Sequence, residues 1–147
     1  METTSWSDSF GIGIPELDTE HQTLFVTMAD LGVAVTTHDR PNTQRLLRLI
    51  AEYAVDHFTH EERLMRRAGY SGYHWHRQQH LTARQRISSL IQAARCGNSS
   101  ECGLLLEYLN SWLPEHITFH DRMMSASIRN YRRMYRHMRT TARRMRG

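Results

Sequence analysis

Histidines and carboxylates recur at helical spacing on the same stripes that carry the aliphatic residues, and this limits the possible folds of the 147-residue chain more than any other feature. His57 and Glu61 are four apart, as are His76 and His80; His116 and Asp121 are five apart, and His21 stands on a stripe of its own. Residues four apart share a helix face. The first stripe reads Leu17, His21, Leu24, Met28, Leu31 and Val35, and the second Leu46 or Leu47, Ile50, Ala54, His57, Glu61 and Leu64. The third reads His76, His80, Ala83, Ile87, Leu90 and Ala94, and the fourth Leu106, Leu109, Leu113, Ile117, His120 and Met124. Four helical segments of about twenty residues, with short breaks and no strand-like alternation, predict an all-α, antiparallel up-down-up-down four-helix bundle.

All four stripes would aim ligand-type side chains at one interior. Buried imidazoles and carboxylates are costly without partners, so a pair of metal ions is the natural reason to tolerate five of one and two of the other. Any single pair at spacing four is unremarkable among ten histidines, and His116 with His120 makes a further such pair. The agreement of all four helices carries the argument. His116 and Asp121 fall about 140° apart on an α-helical wheel, which suits opposite sides of a bridge better than one metal. Imidazole and carboxylate donors without thiolate suit iron, manganese or zinc more than copper(I). The imidazole-rich donor set is less suited to breaking an O–O bond than the carboxylate-rich sites of di-iron oxygenases.

Gly11, Gly13 and Pro15 make residues 1–16 an irregular arm, and THDRPNT, Gly69 to Gly72 and CGNSSEC separate the stripes. Pro114 lies inside the fourth stripe, where a kink is expected. Cys96 and Cys102 read as loop residues; a disulfide between them is possible but unneeded, and with no secretory signal visible a cytoplasmic chain is expected. No apolar run is long enough to span a membrane. Charge divides the chain at Asp121: residues 122–147 hold nine arginines and no acid, against ten arginines and fifteen acids before them. The predicted division is therefore a bundle over 1–121 and an arginine-rich amphipathic helix over 122–147. Met124, Ile128, Tyr131, Tyr135, Met138, Ala142 and Met145 keep that helix in heptad register. It leaves open self-association, an acidic protein or an anionic surface as partner; two aromatics are too few to argue for nucleic acid.

The segment from Trp6 through GIGIPELDTEHQTLF, then HFTHEERLM with Gly69 and Tyr70, then HWHRQQH, then WLPEHITFHD, resembles bacterial hemerythrin over residues 6–124. The resemblance implies that His76, His80 and His116 hold one iron and His21 and His57 a second. Glu61 and Asp121 would bridge the two, beside an oxo or hydroxo bridge. It implies reversible binding of dioxygen at the two-histidine iron, for storage, delivery or sensing. Leu24, Phe58, Trp112, Leu113 and Ile117 match its ligand pocket. Three departures bear on the site. Ala83 stands where relatives often have phenylalanine, Met124 where an aromatic is common, and His120 points inward, a candidate proton donor beside the ligands. His120 and Ala83 sustain an alternative: a di-iron redox enzyme acting on peroxide, nitric oxide or ferrous iron. His38, His60, His74 and Glu62 read as surface residues.

Overall fold

A computed structural model describes residues 3–95 and 99–146. Among them the chain forms α1 (Pro15–Thr36), α2 (Arg40–Arg67), α3 (Tyr73–Arg95), α4 (Ser99–His116), a single π-helical turn (Ile117–Asp121) and α5 (Arg122–Arg144). α1 packs on α2 and α4, α2 on α3, and α3 on α4. This closed ring, joined by short connections, is the four-helix bundle expected from the stripes. Its core runs from Ile12 and Ile14 to Met124 and Ile128, with the aliphatic stripes of all four helices between. No helix of the described residues is long and apolar enough to cross a membrane.

Local chemistry sets the helix ends. Pro15 sits in the first turn of α1, where a missing N–H costs nothing. Asp39 caps α2 by accepting from the Asn42 N–H at 3.2 Å. α2 closes in a Schellman motif: Gly69 is left-handed (φ 62°) and the Tyr70 N–H reaches the Met65 carbonyl at 3.0 Å. α1 closes the same way, with the Asp39 N–H on the Ala34 carbonyl at 2.9 Å. There the left-handed residue is His38 (φ 56°), whose Cβ is strained in that conformation.

As expected, the described arm is irregular up to Pro15 apart from a 3-10 turn at Asp8–Phe10, and it is packed down: Phe10 stacks on Phe25 with centroids 5.4 Å apart, and Ile12 and Ile14 are buried. The Asp18 carboxylate holds the arm by accepting from the Ile12 and Gly13 N–H groups at 2.8 and 3.2 Å. The CGNSSEC break is shorter than expected, because α4 already begins at Ser99 and Cys102 lies buried on its apolar stripe, one turn before Leu105 and Leu106. Cys96 lies outside the described residues.

Pro114 lies inside α4, and the helix widens one turn later, at Ile117–Asp121. Pro114 cannot donate to the carbonyl four residues back. Its own carbonyl is taken by the Thr118 hydroxyl at 2.8 Å. A π turn bonds i to i+5, so residues five apart come to lie one above the other. His116 and Asp121 are such a pair.

Candidate metal centre

The seven residues singled out by spacing meet inside the bundle, and each is at most 2% exposed. α1 supplies His21, α2 His57 and Glu61, α3 His76 and His80, α4 His116, and the end of the π turn Asp121. The wheel placed His116 and Asp121 on different faces; the π turn brings His116 Nε2 within 3.1 Å of Asp121 Oδ1. Their atoms fall into two groups, each with all members within 4.8 Å of one another: Glu61, His76, His80, His116 and Asp121 in one, and His21, His57, Glu61 and Asp121 in the other.

Each shared carboxylate divides its oxygens between the groups. Glu61 Oε2 lies 3.0 Å from His80 Nε2 and 3.6 Å from His76 Nε2, while Oε1 lies 3.1 Å from His57 Nε2 and 3.8 Å from His21 Nε2. Asp121 Oδ1 is 3.2 Å from His76 Nε2, and Oδ2 is 3.2 Å from His21 Nε2. In the larger group, His76 and His80 each bring Nε2 to 3.2 Å from the Nε2 of His116.

Six donors at about 2.1 Å around one cation lie about 3.0 Å apart along each edge of the octahedron. The short separations match that spacing. Yet the oxygens of Glu61 and Asp121 and both ring nitrogens of His21 are buried without a hydrogen bond of acceptable geometry. Lone pairs that approach one another without pairing converge on a third point, which is what a cation requires. The residues fit a resident metal.

Two further carboxylates complete the geometry, and the sequence reading missed them. Glu20 accepts from His57 Nδ1 and from His60 Nδ1, each at 2.6 Å. Glu62 accepts from His80 Nδ1 at 3.1 Å and also pairs with Arg77. Glu62 and His60 are therefore turned into the structure rather than left at its surface. A carboxylate on Nδ1 fixes the tautomer that points Nε2 inward. The available signal was adjacency, since Glu20 precedes His21 and Glu62 follows Glu61 in sequence. Tyr53, also missed, stacks on the His57 ring at 4.9 Å and keeps its hydroxyl buried without a partner. Burial first, then the charges of Glu61 and Glu20, raise its pKa well above the usual phenol value.

The electrostatics are those of a site built for cations. Burial works against ionisation of Glu61 and Asp121, but the surrounding imidazoles outweigh it and hold both carboxyls well below their usual range. Burial likewise opposes charge on His57 and His76. For His57 the Glu61 charge and the Glu20 bond prevail and push the pKa up to about 10; for His76 the Asp121 and Glu61 carboxylates push it up to about 9. Protons on these rings supply the positive charge that a metal would otherwise bring.

Two of the expected pocket residues lie against this centre. Phe58 lies flat on His80 (4.2 Å, 5°) and Trp112 on His116 (4.2 Å, 18°), so both cover the three-histidine group. Leu24, Leu113 and Ile117 are buried, as are Ala83 and Met124. His120 stacks on His116 at 5.0 Å and under the exposed Trp75 at 4.5 Å. Burial and the nearby His116 and His76 push its pKa down to about 4. His38 and His74 are exposed.

The family model described as the hemerythrin HHE cation binding domain matches residues 12–128. A bacteriohemerythrin of Stenotrophomonas maltophilia is 28% identical over 131 residues, covering 88% of this chain and 84% of its own. A myohemerythrin of Riftia pachyptila is 31% identical over 112 residues, covering 76% and 82%. The crystal structure of wild-type hemerythrin superposes with a TM-score of 0.76 at 23% identity, over 85% of this chain and 97% of that one. The fold, the clustered donors and these matches have one consequence: the chain belongs to the hemerythrin family.

Proposed function

We propose that this protein binds dioxygen reversibly at two iron ions, serving oxygen storage, delivery or sensing. The observation that carries the reading is the division of Glu61 and Asp121, each of which turns one oxygen to the His76, His80 and His116 group and the other to His21 and His57. Hemerythrins are oxygen-binding proteins rather than enzymes. When bound, the two ferrous ions supply two electrons that dioxygen takes up and returns.

The remaining work belongs to the side chains. His76, His80 and His116 would hold one ion and His21 and His57 the other, with Glu61 and Asp121 shared between the two groups. Glu20 and Glu62 keep the Nε2 lone pairs of His57 and His80 turned inward. Leu24, Phe58, Trp112, Leu113 and Ile117 wall the site with apolar surface and exclude water and anions. Peroxide and nitric oxide are the other small ligands of suitable size. Using them catalytically would require a proton donor, and His120 stacks on His116 beside the site. The cytoplasm is the compartment that fits a chain with two cysteines and no need of a disulfide.

Anaerobic loading with ferrous iron, followed by cycles of dioxygen addition and removal, tests the reading. Two irons per chain and a visible charge-transfer band that comes and goes with dioxygen are expected. Immediate oxidation with no such band, or a single iron, would refute it.

A further inference from the structure

The family match stops at residue 128, and the helix does not. α5 runs to Arg144, and from Arg133 onward all of its residues are exposed. At 1.5 Å per residue that is a rod of roughly 18 Å standing clear of the bundle.

Its sequence keeps a strict seven-residue period. Ile128, Tyr131, Tyr135, Met138, Ala142 and Met145 occupy alternating a and d positions. Every b position (Arg129, Arg136, Arg143) and every e position (Arg132, Arg139, Arg146) is arginine, while the g positions Ser127, Met134 and Thr141 are neutral. The arginines thus form a ridge along one flank of the seam. A straight α-helix has 3.6 residues per turn, so a 3.5-residue pattern keeps its seam in register only by coiling around another helix. Water gives such a seam no reason to persist, yet Tyr135, Met138 and Met145 leave 52%, 64% and 83% of their surface exposed.

We propose that this extension is one strand of a heterotypic coiled coil, whose seam docks an acidic amphipathic helix of a partner protein. The partner's apolar residues would fill the a and d seam, and its aspartates or glutamates would face the arginine ridge. The seam continues the face that Met124 and Ile128 already bury in the core. A groove of about 780 Å³ between Gly13 and Pro15 at the start of α1 and Tyr131 and Tyr135 on α5 lies where the docked helix would meet the bundle.

Charge and geometry disfavour the other occupants. A second copy of the arm brings eight more arginines from 129 onward and no acid, and antiparallel pairing sets e arginines against each other. A lipid surface suits a helix with cations on both flanks and a face free to lie on a plane. Here six of the eight arginines from 129 onward line one flank, with Arg133 opposite the seam and Arg144 alone on the other flank, and the bundle stands on the same side as the seam. The proposal does not depend on the metal reading.

The test uses the full chain and a fluorescent three-heptad peptide with leucine at a and d and glutamate at e and g. Controls are a scrambled peptide of equal composition, phosphatidylserine vesicles, and sedimentation of the protein alone. Saturable binding to the heptad peptide, about ten-fold or more tighter than to the scrambled one and weakening with salt, is expected. Met138→Asp, and separately Arg139→Glu with Arg146→Glu, should each weaken it about ten-fold without changing the melting temperature. The arginine variant should gain affinity for a lysine version of the peptide. Equal affinity for both glutamate peptides, absence of binding, seam-dependent binding to vesicles instead, or seam-dependent dimerisation of the protein alone would each overturn the proposal.

Discussion

Replacing Glu20 by glutamine removes a charge while keeping shape, and the structure says where the loss should be felt. The Glu20 carboxylate accepts from His57 Nδ1 at 2.6 Å, and His57 is 2% exposed. Its second bond, at the same length, goes to His60, which lies outside the candidate ligand set. Glutamine can still accept one bond, but it no longer stabilises the ring N–H electrostatically or fixes the tautomer as strongly. Loss of such a supporting carboxylate costs about 10- to 100-fold in metal affinity, or about 1.4–2.7 kcal/mol. The cost should fall on the ion held by His21 and His57, because His80 in the other group has its own carboxylate in Glu62. Calorimetric titration of metal-free protein with cobalt(II), which avoids oxidation, separates the two affinities. Glu20→Gln should weaken one step and spare the other, Glu62→Gln should do the reverse, and the double variant should lose both. Equal loss at both steps from Glu20→Gln, or no loss at either, would refute the assignment of separate supporting carboxylates.

His38→Gly should stabilise the protein by about 1 kcal/mol, since glycine relieves the left-handed strain at the end of α1; denaturant melts that show a lower midpoint would contradict the Schellman geometry. His57 and His76 are raised to about 10 and 9, so their contribution to metal-free stability is complete below the unfolded value of about 6.5 and is lost as pH rises through 9 and 10. Metal-free protein should therefore melt lower at pH 10 than at pH 7, and metal loading near pH 7.5 should release about two protons in a pH-stat, with a release near zero counting against the charge exchange. Deleting exposed Phe119 shortens the π turn by one residue and sets His116 and Asp121 at helical spacing four, so fold and metal binding should survive, as read by circular dichroism and cobalt titration. Deleting Met123 rotates Met124 and Ile128 out of the core and should unfold the end of the bundle; survival of both deletions, or loss of both, would remove the π turn's role as a single insertion.

Most of the bundle and five of the seven candidate ligands follow from one period; His116 and Asp121, five apart, do not lie on it. An apolar stripe at 3.6 residues places its polar members on the same face as its leucines, whatever the neighbouring helices do. What escaped depends on packing between elements. Glu20 lies off the His21 face and acquires its role only because α1 lies beside α2, where His57 and His60 reach it. Tyr53 lies one turn before His57, and spacing alone does not tell an aromatic that covers a ligand ring from one that packs elsewhere. The arm read as irregular because Gly13 breaks the period, yet Gly13 is what lets the chain turn (φ 76°) and deliver Ile12 and Ile14 to the core.

The 140° error at His116 and Asp121 has a different origin: it follows from assuming a single helical pitch. Five-residue spacing between two ligand-type residues is a poor fit to an α-helix and a natural fit to one π turn, so the misfit was itself the signal. Pro114 pointed to the same place, since a helix that loses a backbone bond there can widen in the next turn without forfeiting a second one. The extra residue serves two ends at once. It brings Asp121 under His116, and it resets the phase so that Met124, Ser125 and Ile128 stay buried after Leu109, Leu113 and Ile117. From that reset the seam runs without interruption into the arginine-flanked arm. The last two candidate ligands, His116 and Asp121, and the candidate docking surface thus lie along one continuous helical run, which a single π turn keeps in phase.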